Sequence, residues 1–390
     1  MKKLIALLLC VCLLLSAAAC TNAPAVGKST DASNQDGEQR LRIVATLQSQ
    51  QINFWSNVQH TLERLAKEEN VDLTIMDLNG DVTTFANVID DIVAMKPDGV
   101  ITCGLETSTL GIHVKTLQDA GIPVVTYNIS PEGATCPQVV ADQSEFGRVA
   151  GTAAAEYWKE NHPDTTPVGG AVDLYSAPQC KERVDGFVEG FRTVYPDFEV
   201  VQSVDGGGSR SVSLAACEDL LQAHPEINVM FGINADSALG ALDALREINR
   251  GTSADSLVAS VDGTEADCAE LKDPNSALKA VAGNSPRIMA EMAWNLLMQV
   301  IRGELPANED YPQSLEIVSV TTDTADPWVK ENFELKAVPH HAVRSDRRPL
   351  RTALCYTKAR IGPENKQLRS RTLLYKYSGG GEKYSDVQDE

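Results

Sequence analysis

Aromatic residues are scarce in this chain, at 5% of 390 residues, and its nine cysteines form neither a CxxC pair nor a cysteine–histidine spacing suited to zinc. No metal or cofactor is therefore expected. Positive charge is short as well: 34 Lys and Arg face 54 Asp and Glu, a formal net charge of −20. That balance disfavours nucleic acid and anionic membrane surfaces as partners. "DGGGSRS" (205–211) lacks the GKS/T ending of a phosphate loop and the GxGxxG spacing, so it reads as a flexible strand–helix connection. No nucleophile, base and orienting group fall together, which argues against an enzyme.

Long apolar runs are missing too. The longest apolar run near the start, Leu4–Leu15, follows Met1-Lys2-Lys3 and precedes Ser16-Ala17-Ala18-Ala19-Cys20. Twelve residues rise about 18 Å as a helix, short of the roughly 30 Å hydrocarbon core. The pattern is that of an export signal over residues 1–20. Its end resembles a lipobox, which would make Cys20 a lipidated, palmitate-bearing first residue anchored to the outer face of the cytoplasmic membrane. Ala17-x-Ala19 also suits ordinary cleavage. Residues 21–40, with almost no bulky apolar side chain, read as a flexible tether.

Beyond the tether the chain is long enough for two domains. "LRIVATL", "VDLTIMDL", "GVITCG" and "IPVVTYN" are β-rich runs separated by segments of helical periodicity. The grammar then restarts with "GGAVDLYS", "FEVVQSV", "INVMFGIN" and "SLVASVDG", again with helices between. Apolar strands alternating with helices argue for parallel sheets covered on both faces. Two similar doubly wound α/β units in tandem are expected, with function at the carboxyl ends of the strands.

Those ends carry Asn128, Asn234 and Asp262-Gly263-Thr264, with Lys181 and Asn284 close after two others. Amides, a carboxylate and an ammonium suit the hydroxyls of a sugar or polyol. "GINADSALGALDAL" followed by "VASVDGTEA" resembles the periplasmic binding proteins typified by ribose-binding protein, and the related sensor domains of LacI-type repressors. "LAKEENVDLTIMDLNGD", "KPDGVI", "AGIPVVTYN" and "KERVDGF" fall in the same order, from about Leu41 to Val320. The resemblance implies the type I fold of that family: two Rossmann-like lobes joined by a three-strand hinge and closing over a small ligand. The lobes are then expected over residues 41–141 plus 285–313 and over 142–284 plus 314–322, while residues 323–390, beyond the resemblance, read as a basic, poorly ordered tail. The resemblance also implies a monomer that delivers its ligand to the permease of an ABC transporter. A receptor that presents a sugar or autoinducer to a chemoreceptor or histidine kinase is the alternative.

Carried over by position, the ligand contacts are Phe54, Trp55, Asn128, Lys181, Asn234, Asp262 and Asn284. The family has Asp-Arg where this chain has Asn128-Ile129, Arg where Lys181 stands, an aromatic near Gly208 and Asn at Ile52. In "QINFWSNV", helical periodicity leaves Phe54 and Trp55 open to either core or cleft. Their place in the first turn after the first strand assigns both to the cleft wall, with Phe54 a candidate for sharing with the core.

Two features stand outside this pattern. Cys103, Cys136, Cys180, Cys217, Cys268 and Cys355 are scattered singly and could be buried thiols or disulfide partners. Residues 336–376 hold eleven Lys and Arg against two Asp and Glu. That stretch is either an extension that touches anionic surfaces or a sequence with no selected role. The second reading is preferred, and no packing of it on the lobes is expected.

Overall fold

The structure is a computed structural model that describes residues 40–333. The expectations for the export signal, the anchor at Cys20, the tether, the basic stretch 336–376 and Cys355 lie outside the described residues. Within them, β1 (Arg42–Leu47) is buried at five successive positions, as a strand covered on both faces must be. It is followed by α1 (Asn53–Glu68), β2 (Asp72–Asp77), α2 (Val82–Met95), β3 (Gly99–Thr102), α3 (Thr107–Asp119), β4 (Val124–Asn128) and β5 (Pro137–Val140). The second run is α4 (Gln143–Asn161), β6 (Gly169–Asp173), α5 (Cys180–Arg192), β7 (Val200–Asp205) and α6 (Arg210–Ala223). It continues through β8 (Val229–Gly232), α7 (Ala235–Glu247), β9 (Leu257–Asp262), α8 (Glu265–Lys272) and β10 (Leu278–Gly283). The described chain ends with α9 (Pro286–Ile301), β11 (Tyr311–Ser314), β12 (Val318–Val320) and α10 (Ala325–Asn332).

Two six-stranded sheets result, in the orders β11-β5-β4-β3-β1-β2 and β12-β10-β9-β8-β6-β7. The first is parallel throughout, with Ile43 in register with Leu73 on one side and Gly99 on the other. The second is parallel except for β12, which runs antiparallel to β10. The chain crosses between lobes three times: from β5 into α4, from β10 into α9, and from β11 into β12. Accordingly α4 packs on β9 and β10, whereas α9 packs on α1 and β3 to β5.

Two contacts set the geometry of the cleft. Helices α4 and α5 approach so closely that a Cβ on Gly147 would strike the Arg183 carbonyl, and one on Gly186 would strike that of Ser144. This contact holds Gln143, at the start of α4, against Arg183 of α5.

The second contact was not expected from the sequence. Residues 323–333, assigned to the tail, include α10, which packs against α8. Its Trp328 donates from Nε1 to the Gly263 carbonyl at 2.8 Å, and its ring fills the space that a side chain at Gly263 or Gly283 would need. Asn332 meets the Ser285 hydroxyl at 2.5 Å, where the chain crosses from β10 into α9. The helix therefore buttresses the strand ends that carry Asp262 and Asn284.

The cysteines Cys103, Cys136, Cys180, Cys217 and Cys268 are buried free thiols. Gly186→Val is expected to force α4 and α5 apart and to lower the unfolding free energy by about 1–3 kcal/mol. Urea denaturation measures this, and an unchanged midpoint would show that the helix contact is dispensable.

Candidate functional site

The strand ends converge between the lobes. Asn128 closes β4 with φ 73° and Asp262 closes β9 with φ 96°, both in the left-handed region that residues with a side chain rarely adopt. Such backbone costs on the order of 1–3 kcal/mol and persists where surrounding structure holds it. The Asn128 carbonyl accepts from Gln143 Nε2 at 3.4 Å, while its side-chain amide forms no hydrogen bond among the described residues. Asp262 Oδ2 accepts from the Ala235 N–H at 3.2 Å and Oδ1 from Asn284 Nδ2 at 3.3 Å. Asn284 is buried, and its Oδ1 has no hydrogen-bond partner among the described residues. A buried acceptor left unpaired costs about 1–3 kcal/mol, so it is poised to receive a donor from a ligand.

Asn234 plays a different part. Its Oδ1 caps α7 by accepting from the Ser237 N–H at 2.8 Å, and its Nδ2 donates to the Gly208 carbonyl at 3.1 Å. Both ends are committed, so it shapes the cleft as much as it offers contacts. Phe54 and Trp55 line the cleft and are also core residues, each 5% exposed. Their rings meet edge to face at 5.1 Å, and Trp55 meets Tyr127 at 5.8 Å. Core and cleft wall are thus one surface here.

Lys181 is not in the cleft. Its ammonium pairs with Asp185 at 2.5 Å, with both side chains more than 60% exposed. It borders a larger open groove of about 630 Å³ on the other side of α5, beside β7. The cation that faces the cleft is Arg183, 7% exposed. Two residues along a helix is about 200° of rotation, so 181 and 183 face opposite ways. The stripe Cys180, Val184, Phe187 and Phe191 marks the buried face, and Arg183 lies on it. That periodicity was the available signal.

Arg183 Nε donates to Gln143 Oε1 at 2.8 Å and Nη1 to the Ile233 carbonyl at 2.6 Å. Gln143, also missed from the sequence, relays this to the first lobe by donating to the Ala141 and Asn128 carbonyls. Gln48, Ile52, Leu174, Gln179, Cys180 and Ile233 complete the lining. The lobes are drawn close, leaving about 50 Å³ between them. Small-molecule pockets commonly measure several hundred Å³, so the lobes must part to admit a ligand.

Burial raises the carboxyl of Asp262 above its ordinary range, and the charge of Arg183 opposes that shift. Behind it, burial pushes Asp267 up from 3.8 to about 7, although Thr264 and Ser260 both donate to it. The folded chain therefore holds a proton on Asp267 that the unfolded chain releases near 3.8. Its contribution to stability is full below about pH 4 and declines as pH rises toward 7. Asp267→Asn, which keeps the shape without the charge, is expected to flatten this decline. Urea midpoints at about pH 5 and about pH 7.5 test it, and an equal difference between them in both proteins would count against the assignment.

A family model described as a periplasmic binding protein domain matches residues 43–305. The ribose import binding protein RbsB of Bacillus subtilis (strain 168) is 25% identical over 304 residues, covering 78% of this chain and 95% of that protein. The ABC transporter periplasmic-binding protein YphF of Escherichia coli (strain K12) is 25% identical over 278 residues, covering 69% and 83%. Among solved structures, a galactofuranose binding protein superposes with a TM-score of 0.66 at 19% identity, over 75% of this chain and 98% of that one. The Caulobacter myo-inositol binding protein gives 0.65 at 19%, over 75% and 97%. With two lobes of mostly parallel sheet, strand-end side chains facing one cleft and a family match over most of the described chain, this protein belongs to the periplasmic binding protein family.

Proposed function

We propose that the protein captures a small neutral ligand of the sugar or polyol class outside the cytoplasm and hands it to the permease of an ABC importer. The observation that carries this reading is the composition of the cleft. Asn128 from one lobe and Arg183, Asp262 and Asn284 from the other side converge beside the aromatic wall of Phe54 and Trp55. Amide, guanidinium and carboxylate groups bind hydroxyls in pairs, and an aromatic face packs on the C–H face of a sugar ring. Relatives named as ribose, xylitol and D-apiose binding proteins support the ligand class. The loss of Lys181 from the cleft removes the cation that an anionic ligand would have used, while Arg183 is balanced by Asp262.

Binding contacts from both lobes favour the closed arrangement, and closure presents the two lobes together to the importer. In this reading the ligand leaves chemically unchanged. Cys180 lines the cleft, but burial pushes its thiol up to about 11, so it stays protonated and weakly nucleophilic. Lipidation of Cys20 and the tether 21–40 would hold a monomeric binding unit at the outer face of the membrane. The import relatives favour transport over a sensory role.

A thermal-shift screen over monosaccharides, polyols and nucleosides identifies the ligand class, since binding raises stability as RT ln(1 + [L]/Kd). For the best ligand, Arg183→Ala and Asp262→Ala are each expected to weaken binding by about 1–3 kcal/mol or more. Lys181→Ala is expected to leave Kd within about twofold, as for other exposed ion pairs. Calorimetric titration reads all three, and affinity unchanged from the parent chain in the Arg183 and Asp262 variants would overturn the site.

A further inference from the structure

We propose that Gln48 is a ligand contact from the first lobe, and that its side-chain carbonyl selects a polyhydroxy compound that turns a hydroxyl donor toward it. Analogues whose facing group can only accept a hydrogen bond are rejected. This deepens the solute-binding reading above and rests on it.

Gln48 stands one residue beyond β1, with the ends of β2 and β3 on either side. The Gly80 N–H, past β2, donates to its backbone carbonyl at 2.7 Å. Its own Nε2 donates to the Gly104 carbonyl, past β3, at 2.5 Å. Gln48 is thus tied to both neighbouring strand ends and is only 8% exposed. It lines the cleft nonetheless, and its Oε1 has no hydrogen-bond partner among the described residues.

An amide side chain can often be turned over so that oxygen and nitrogen trade places. Here the partner forbids it. A carbonyl only accepts, so the nitrogen must face Gly104 and the oxygen must face away. Asn284 is fixed by the same rule, since its Nδ2 donates to the Asp262 carboxylate and leaves its Oδ1 open.

The two lobes therefore bring fixed acceptors to one ligand space. Gln48 Oε1 comes from the first, and Asn284 Oδ1 with the Asp262 carboxylate comes from the second. Arg183 Nη2, which makes no hydrogen bond among the described residues, is a fixed donor, because a guanidinium cannot accept. The Asn128 and Gln179 amides are uncommitted and can serve either role. A hydroxyl fits this pattern, because it donates to one fixed acceptor while accepting from a donor. An ether oxygen, a carboxylate or a fluorine brings only lone pairs. Set against Gln48 Oε1 in a space of about 50 Å³, it would leave that oxygen dry and unpaired.

The test is calorimetric titration of the full chain with D-ribose, D-galactose and D-glucose, each beside its monodeoxy and monodeoxyfluoro derivatives. For the sugar that binds tightest, the deoxy and deoxyfluoro forms at one ring position are both expected to bind about tenfold more weakly or worse. A site built around a hydroxyl rejects analogues that lack its donor on at least that scale. Gln48→Met keeps the length of the side chain without the amide. In that variant the hydroxylated sugar is expected to fall to the level of its deoxy form, so that the difference at this position shrinks to within about twofold. If Gln48→Met does not fold, Gln48→Asn, whose amide stops one carbon short, is read the same way. A purely structural Gln48 would weaken all three forms by one common factor, or none of them, and leave every difference intact. That result would overturn the inference while the sugar-binding reading stands. Fluorine that costs nothing at any ring position in the unaltered chain would do the same, without reliance on a variant. If none of the three sugars binds, the sugar-binding reading falls and takes this inference with it.

Discussion

A guanidinium moved out of water is costly unless its charge and its donors are answered, and Arg183 shows how this cleft answers them. Its Nε goes to Gln143 and its Nη1 to a backbone carbonyl at the end of β8, while its carbon lies 4.8 Å from the centre of the Phe146 ring. Its charge also offsets the burial of Asp262. Helix α4, helix α5 and two strand ends are thereby referred to one cation. None of it works unless α4 and α5 touch backbone to backbone, which is what the glycines at 147 and 186 allow.

From this constraint the rest of the cleft follows. Gln143 answers Arg183 with its oxygen and spends its nitrogen on carbonyls at the crossing into the second lobe, so the guanidinium is coupled to Asn128 in the first. Asn128 and Asp262 both sit in left-handed backbone at equivalent ends of the two sheets. The two lobes thus present their polar side chains by the same local device, one from each side of the ligand space.

Much of this was legible in the sequence because it is local. Strand–helix alternation depends on periodicity within a dozen residues, and the strand-end positions of Asn128, Asn234, Asp262 and Asn284 follow from it. Lys181 holds the motif position of the family's cation but lies on the exposed face of its helix. Cys180, Val184 and Phe187 had already marked the buried side, and Arg183 shared it. Gln143 carried no such mark, since its partners come from 40 residues away and from a crossing segment. Phe54 and Trp55 could not be sorted between core and cleft, for in this fold the same rings serve both. Helix α10 was missed for a related reason. "ADPWVKEN" is short and mostly polar, and Trp328 has meaning only beside Gly263 and Gly283, which are distant in the chain.

The family match ends at residue 305, yet β12 and α10 lie beyond it and close the second lobe. Through Asn332 and Ser285, and through Arg287 and the Glu331 carbonyl, α10 is tied to the joint where the chain leaves β10 for α9. A chain trimmed to the family boundary would therefore lose the support of its own hinge. The same geometry gives the protein a usable optical handle. An environment-sensitive dye on the exposed Lys330 of α10 would stand near this joint and outside the lining of the cleft, and would read out the proposed closure rather than ligand contact.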